Sequence, residues 1–326
     1  MKILITGGLG TIGSCLSASL FKKGHKIVIY DNQEIGSIEN LEFYLTHKEI
    51  KKIKIIKGDI LNFNKLKLLI KNSDYVYNLA ATLGTLRVVK YPSKMLNVNS
   101  LASHKIIDYC VKLKKPLVLF STSMVYGKNP KVSVNEEDDL FVGGNTKTGL
   151  WWYAISKLSE EAYANAKIKE NPNSKIVIIR PFNVIAPVQN PTVGFVFPRF
   201  FTSSMKNNPI LVYGNGKQRR TFTWAEDCVL CLVKLINKKN YWCKTINIGG
   251  TNSISILALA KKIKNITKSK SNIKFVNPKK FYGNHFVEIP KRIPNVNQLK
   301  KIIGYVPKTS LDTMIKKFYS FYTSKY

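Results

Sequence analysis

Tyr153 and Lys157 are the residues whose types and spacing most directly suggest chemistry in this chain of 326 residues. They lie four residues apart in Tyr153-Ala154-Ile155-Ser156-Lys157. On a helix they share one face, so a phenol and an ammonium converge on one substrate. A free tyrosine ionises near pH ~10 and is a poor base at neutral pH. A neighbouring cation favours the phenolate and draws its pKa toward working pH. The spacing alone is weak, because a Tyr and a Lys separated in this way recur on many surface helices. Thr122 supplies a third group, at the end of the apolar run Pro116–Ser121 and within Ser121-Thr122-Ser123-Met124. A hydroxyl there can orient a substrate oxygen and stabilise charge as the proton leaves.

Stepping from these groups to the elements that must carry them, the first half alternates short β-branched runs with helical segments. Lys2–Thr6, Lys26–Tyr30, Ile53–Lys57, Tyr75–Leu79, Pro116–Ser121 and Lys175–Arg180 read as buried strands. Helices are expected around Thr11–Lys22, Phe63–Lys71, Lys94–Lys114 and Trp151–Lys169, and an amphipathic helix with a frayed end over Ser310–Tyr326. This βαβ alternation predicts an α/β fold, a doubly wound parallel sheet of the Rossmann kind. After Pro181 prolines and aromatics increase and the elements shorten, while Thr245–Ile248 reads as a strand returning to the sheet. The expected division is therefore discontinuous: 1–180 with a return segment about 222–250, and a smaller region from 181–221 and 251–326.

Gly7-Gly8-Leu9-Gly10-Thr11-Ile12-Gly13 follows the first strand and opens a helix, the context in which a glycine-rich motif is credible. Gly7 and Gly10 permit a tight turn and close backbone approach to a pyrophosphate. Gly13 lets helix and strand pack closely, and the N–H groups of Thr11 and Ile12 at the helix start face the phosphates. Asp31 ends the second strand, where a carboxylate accepts hydrogen bonds from an adenosine ribose and repels a 2′-phosphate, so NAD is preferred over NADP. Asn32 adjoins it. Asp59 and Ile60 would border the adenine, and Ala80 and Ala81 would allow the backbone close to the cofactor. A bound nicotinamide would then add its positive charge to that of Lys157 beside the Tyr153 phenol.

With these motifs in this order, the sequence resembles the extended short-chain dehydrogenase/reductases that act on nucleotide sugars. The resemblance covers nearly the whole chain. It rests on the glycine turn, Asp31, Asp59, Asn78-Leu79-Ala80-Ala81, Asn99, Ser121–Gly127, Tyr153–Lys157 and Arg180-Pro181-Phe182-Asn183-Val184. Further on come Val212–Phe222, Asn247-Ile248-Gly249 and Arg292-Ile293-Pro294. It implies that Tyr153 is the acid/base, that Lys157 holds the nicotinamide ribose and lowers the tyrosine pKa, and that Thr122 hydrogen-bonds the reacting hydroxyl. Asn99 joins the cofactor set. Ser123, Met124, Asn183, Val196 and Tyr213 are implied to line the sugar and nucleobase pocket. Arg220 and Arg292 resemble arginines that clamp a diphosphate, a task for a planar, always-charged fork.

The residues after Thr122 bear on the reaction. Nucleotide-sugar 4,6-dehydratases carry an Asp-Glu pair there, and UDP-glucuronate decarboxylases carry Glu where this chain has Met124. A thioether does no proton chemistry. The resemblance then implies chemistry that needs only Tyr153, Thr122 and NAD: oxidation at C4, rotation of the keto-sugar, and hydride return to its other face. A UDP-hexose 4-epimerase is the expected enzyme, with a 4,6-dehydratase or decarboxylase as the alternative and a nucleotide-sugar reductase as a second one. Related enzymes pair through two long helices per subunit, so Lys94–Lys114 and Trp151–Lys169 are expected to form a homodimer interface.

Composition narrows the classes further. A hydrophobic share of 44% with 22% charged residues is ordinary for a globular protein. No run approaches a signal or membrane-spanning segment, which predicts a cytoplasmic protein without a membrane partner. The formal charge of +33 suggests nucleic-acid binding, but the lysines are spread through every segment, as in Lys51-Lys52, Lys114-Lys115 and Lys261-Lys262. A nucleotide-diphosphate sugar is the expected anionic partner, and nucleic acid is not expected; an RNA-binding module that kept only the fold is the competing class. Five cysteines form an odd, scattered set, which argues against a disulfide framework. Cys228-Val229-Leu230-Cys231 lacks a second ligand pair and reads as two buried residues on an apolar helix, so no metal is expected.

Overall fold

Ile3, Leu4 and Ile5 are each fully buried, so both faces of their strand are covered, as unbroken apolar runs in a parallel sheet require. The computed structural model of the chain describes residues 1–325 apart from 85–87, 89, 144–148, 237, 239, 283 and 285. Six strands come first: β1 (Lys2–Thr6), β2 (Lys26–Asp31), β3 (Lys54–Lys57), β4 (Tyr75–Asn78), β5 (Leu117–Phe120) and β6 (Ile176–Pro181). Short strands β7 (Val184–Ile185), β8 (Ile210–Tyr213), β9 (Arg219–Thr221) and β10 (Thr223–Trp224) follow, and β11 (Thr245–Ile248) returns to the main sheet. Last come β12 (Ser253–Ser255), β13 (Ile273–Val276) and β14 (Lys291–Arg292).

The seven-stranded sheet has the order β11-β6-β5-β4-β1-β2-β3, and every pairing in it is parallel. The chain builds outward from β1 through β3, then crosses back to β4 and builds the other way. The point of reversal between β1 and β4 opens a crevice at the carboxyl ends of the strands, where ligands bind in doubly wound sheets. One face is packed by the helices Thr11–Lys22 and Ala225–Leu235, through Leu16, Ile29, Cys228 and Leu232. The other is packed by Phe63–Lys71, Ser103–Lys112 and Gly149–Glu170, through Leu66, Ile106, Cys110 and Ala164. Cys228 and Cys231 are buried free thiols, in agreement with the reading of that pair as packing residues.

A third cluster, with Phe197, Phe200, Phe201, Trp224 and Phe318, lies outside the main sheet. It gathers three small sheets, β10-β7, β12-β9-β14 and β13-β8, around the helices Val196–Met205, Ile256–Ile266 and Leu311–Lys325. The last of these matches the expected amphipathic helix, whose final residue, Tyr326, lies outside the described residues. The expected helix at Lys94–Lys114 is built from Pro92–Leu96, a wide π turn at Asn97–Ala102 and Ser103–Lys112. No helix among the described residues is long and apolar enough to cross a membrane.

A polar network locks β6 to the long helix. Arg180 donates Nε to Glu161 Oε1 at 3.0 Å and Nη2 to Glu161 Oε2 at 2.6 Å. Its Nη1 donates to the Tyr126 hydroxyl at 3.0 Å, and that hydroxyl donates to Asn247 Oδ1 at 2.7 Å. Arg180 and Glu161 are both buried, so removing one partner strands the other in a low-dielectric interior. Glu161→Ala is expected to lower the unfolding free energy by about 3–5 kcal/mol, measured by urea denaturation followed by far-UV circular dichroism.

Candidate active site

The end of β1 fixes the geometry of the glycine turn. Gly7 has φ +68°, and a Cβ there would lie 2.7 Å from the Ala80 nitrogen. A Cβ on Gly13 would meet the Gly7 carbonyl oxygen at 2.2 Å. Only glycine permits the left-handed turn and these close passes. Gly10 is the N-cap of the helix Thr11–Lys22, and no side chain caps it. The first-turn N–H groups are therefore kept for another acceptor, and the helix dipole favours an anion there.

Asp31 is buried at the end of β2, where its Oδ2 accepts the Leu9 N–H at 3.0 Å and its Oδ1 accepts the Gln33 N–H at 2.8 Å. Burial pushes its pKa up, and the two backbone donors pull it back. Each oxygen retains a lone pair for a further donor. The Asp59 carboxylate accepts the Leu61 N–H at 2.9 Å, which fixes the turn after β3. A cavity of about 510 Å³ is lined by Gly7, Gly10, Thr11, Ile12, Gly13, Asp31, Asn32, Asp59, Ile60, Ala80 and Ala81. An uncapped helix N-terminus, a glycine cradle and a carboxylate at the neighbouring strand end fit the diphosphate and ribose of a dinucleotide. Asn99 departs from its expected place. It does not line the cavity, but holds Thr82 from behind, accepting the Thr82 N–H at 2.8 Å and donating to the Thr82 carbonyl at 3.0 Å.

Tyr153, Lys157 and Thr122 line the same cavity. Thr122 follows β5 with extended backbone, and its Oγ1 accepts the Met124 N–H at 3.2 Å. It also hydrogen-bonds the Tyr153 phenol. Burial pushes the Tyr153 pKa up; Lys157, the Thr122 hydrogen bond and Arg292 each pull it down. Lys157 thus acts on the phenol in the expected direction, and burial acts against it. Glu160, which sequence reading passed over, also disfavours the phenolate. Lys157 is 2% exposed and forms an ion pair with Glu160, itself fully buried one helical turn on. The available signal was a carboxylate at i+3 from Lys157 on the face that carries Tyr153.

Across the cavity stand all the expected sugar-side residues: Ser123, Met124, Asn183, Val196, Tyr213, Arg220 and Arg292. Asn183, at φ +37°, donates to the Thr221 carbonyl at 2.7 Å and accepts from Arg292 Nη2 at 2.8 Å. Arg292 Nη1 contacts the Met124 sulfur, and the buried Arg292 Nε has no hydrogen-bond partner among the described residues. Desolvation, then Arg220, lowers the Arg292 pKa to about 9, while Tyr153 and Glu288 act the other way. Arg220 donates to Glu288 at 3.3 Å rather than standing alone. The Arg199 guanidinium lies 4.0 Å over the Tyr213 ring and also lines the cavity; nothing in its sequence context distinguished it from a surface arginine. Trp151 is buried with Ala154 and Ile289, and Met124 packs against that cluster. The cluster as a whole is therefore the backing for Met124.

Comparison with known proteins bears on what this cavity does. The NAD dependent epimerase/dehydratase family matches residues 3–249. A UDP-N-acetyl-alpha-D-glucosaminuronate decarboxylase of Bacillus cytotoxicus is 34% identical over 97% of this chain and 96% of its own length. Among solved structures, Pal from Bacillus thuringiensis superposes with a TM-score of 0.88 at 27% identity, covering 100% of both chains. A UDP-glucuronic acid 4-epimerase mutant from Bacillus cereus, in complex with NAD and a fluorinated UDP-glucuronic acid, superposes with a TM-score of 0.85 at 27% identity, again over 100% of both chains.

The close pass at Gly13 makes a direct test of the dinucleotide cradle. Gly13→Ala forces the turn away from the Gly7 carbonyl, and a displacement of about 1 Å at such a site is worth about a hundredfold. NAD affinity measured by calorimetry is expected to fall by about that factor, with the far-UV spectrum retained.

Proposed function

The chain belongs to the NAD-dependent epimerase/dehydratase family of extended short-chain dehydrogenase/reductases, and from that premise we propose that it oxidises C4 of a UDP-hexuronic acid and releases the C6 carboxyl as carbon dioxide. The observation that carries this reading is Arg292: a guanidinium whose buried Nε has no partner among the described residues, in contact with Met124 and within the field of Tyr153. A guanidinium in the cavity wall with one donor still free suits a carboxylate. The relative that is 34% identical bears a uronate decarboxylase name, which points the same way. NAD binding is assigned to 1–180 with the return segment about 222–250, and sugar-nucleotide binding to the remainder.

NAD, when bound, supplies the acceptor for the hydrogen that leaves C4 and can later return it. Tyr153 takes the C4 hydroxyl proton, and Thr122 holds the same oxygen by hydrogen bonding. Lys157 stabilises the phenolate that takes this proton and becomes the neutral phenol. The C4 ketone is β to the carboxylate, so the C5–C6 bond electrons flow into the carbonyl as carbon dioxide leaves. No acid at Met124 is required for that step. Tyr153 and Thr122 steady the enolate oxygen. Arg292 holds the carboxylate until it leaves, and C5 then takes a proton from solvent water. Reduction at C4 closes the cycle, with Tyr153 giving its proton back.

A second reading, UDP-hexose 4-epimerisation, is favoured by Ser123-Met124, which leaves no carboxyl acid after Thr122. Incubation with UDP-glucuronic acid and its N-acetylated amino-sugar counterpart should release carbon dioxide and give a UDP-pentose by NMR. Interconversion of C4 epimers with the carboxyl retained, or of UDP-glucose and UDP-galactose, would overturn decarboxylation in favour of the second reading. Tyr153→Phe is expected to lower kcat by about 10²–10⁴ while substrate still binds.

We further propose a homodimer formed by the helices Pro92–Lys112 and Gly149–Glu170. Leu96, Leu101 and Ile155 on these helices are exposed, a pattern that suits a partner surface. Light scattering should give twice the chain mass of 37.0 kDa, and Leu101→Lys should halve that result.

A further inference from the structure

Among the described residues Glu160 is the carboxylate paired with Lys157, and neither the expected reaction nor the family motifs assigned it a role. It lies one turn beyond Lys157 on the helix Gly149–Glu170 and is fully buried. One oxygen faces the Lys157 ammonium. The other accepts from Asn78 Nδ2 at 3.5 Å, and Asn78 Nδ2 also donates to Ser103 Oγ at 3.2 Å. Asn78 Oδ1 in turn accepts the Thr6 hydroxyl at 2.6 Å, and Thr6 Oγ1 accepts the Ala80 N–H at 3.3 Å. A continuous buried polar chain therefore runs from the turn that lines the dinucleotide cavity, across β1 and β4, to the catalytic lysine.

We propose that Glu160 is a positioning residue: it holds the Lys157 ammonium and offsets part of that cation's pull on the Tyr153 phenol. The physical basis is the sign of the charges. Lys157 favours the phenolate, whereas Glu160, close to both, disfavours it. The charged or titratable groups facing Glu160 among the described residues are Lys157, Tyr153 and Glu161, all on its own helix; the neighbouring elements contribute Asn78 and Ser103, which do not titrate. Burial pushes the Glu160 pKa up to about 6, with Lys157 opposing. The carboxylate is thus ionised at neutral pH, when it matters to Tyr153, and takes up a proton in mild acid.

This inference rests on Tyr153 acting as the acid/base, and it can fail independently. In Glu160→Gln the anion is gone and the shape is kept. The Tyr153 phenol should then ionise at lower pH, by about 1 pH unit. The acid limb of the kcat profile should move down by the same amount, with KM for the nucleotide sugar unchanged within about twofold. A readout without cofactor or turnover is fluorine NMR of protein labelled with 3-fluorotyrosine, in which Tyr153→Phe identifies the resonance. Glu160→Asp, which withdraws the carboxylate by one methylene, should shift both readouts in the same direction by less; it also serves if Glu160→Gln does not fold. A phenol pKa and acid limb that stay put, or move up, overturn the proposal even if the melting temperature falls. Full turnover in Tyr153→Phe would instead overturn the acid/base reading on which it rests.

Discussion

An ion buried without a partner costs several kcal/mol, and the helix Gly149–Glu170 buries Lys157, Glu160 and Glu161 within little more than a turn. Each charge is answered. Lys157 meets Glu160 along the helix, and Glu161 meets Arg180 across to β6. The two pairs do different things. The Arg180–Glu161 fork fixes the helix against the sheet, through planar, bidentate geometry that tolerates little rotation. The Lys157–Glu160 pair keeps an ammonium inside a cavity wall beside a phenol. Lys157, Glu160 and Glu161 can be buried together only because their charges are answered nearly in place.

A second constraint comes from the backbone. The chain after β4 passes so close to Gly7 that a Cβ there would strike the Ala80 main chain, and a Cβ on Gly13 would strike the Gly7 carbonyl. That approach opens the crevice at the point where strand order reverses. The same crossing brings Thr6 and Asn78 into contact, which extends the catalytic helix's polar network to the cofactor turn. Asn99 contributes from behind the wall, by fixing Thr82 from a π turn in its own helix.

At the end of the cavity proposed for the sugar, a cation faces an apolar group. Met124, backed by the cluster that includes Trp151, offers neither a proton nor a charge, and the Arg292 guanidinium lies against its sulfur. A site of this kind can bind and neutralise a carboxylate, and it gains little by binding a neutral hydroxymethyl group. A β-keto acid loses carbon dioxide once its ketone is formed and held, so the absence of a carboxyl acid at Met124 is compatible with that chemistry.

Much was legible in the sequence. Glycine spacing, the unbroken β-branched runs and the 3.6-residue periodicity depend on contacts a few residues apart, and so they gave the strand sequence, the helix Thr11–Lys22 and the pairing of Tyr153 with Lys157, while Thr122 joined them through the family resemblance. The signals for Arg292 and Asn183 were motif-borne, and their joint location in one wall depended on a chain reversal that brings β14 beside β9. What the sequence by itself determined was which groups could react and which elements would carry them. Only the tertiary structure decided the balance of desolvation against charge at Tyr153, the pairing of Lys157 with Glu160 and the withdrawal of Asn99 behind Thr82. Those depend on solvent exclusion and on distances between segments far apart in the chain, and no local pattern encodes either one.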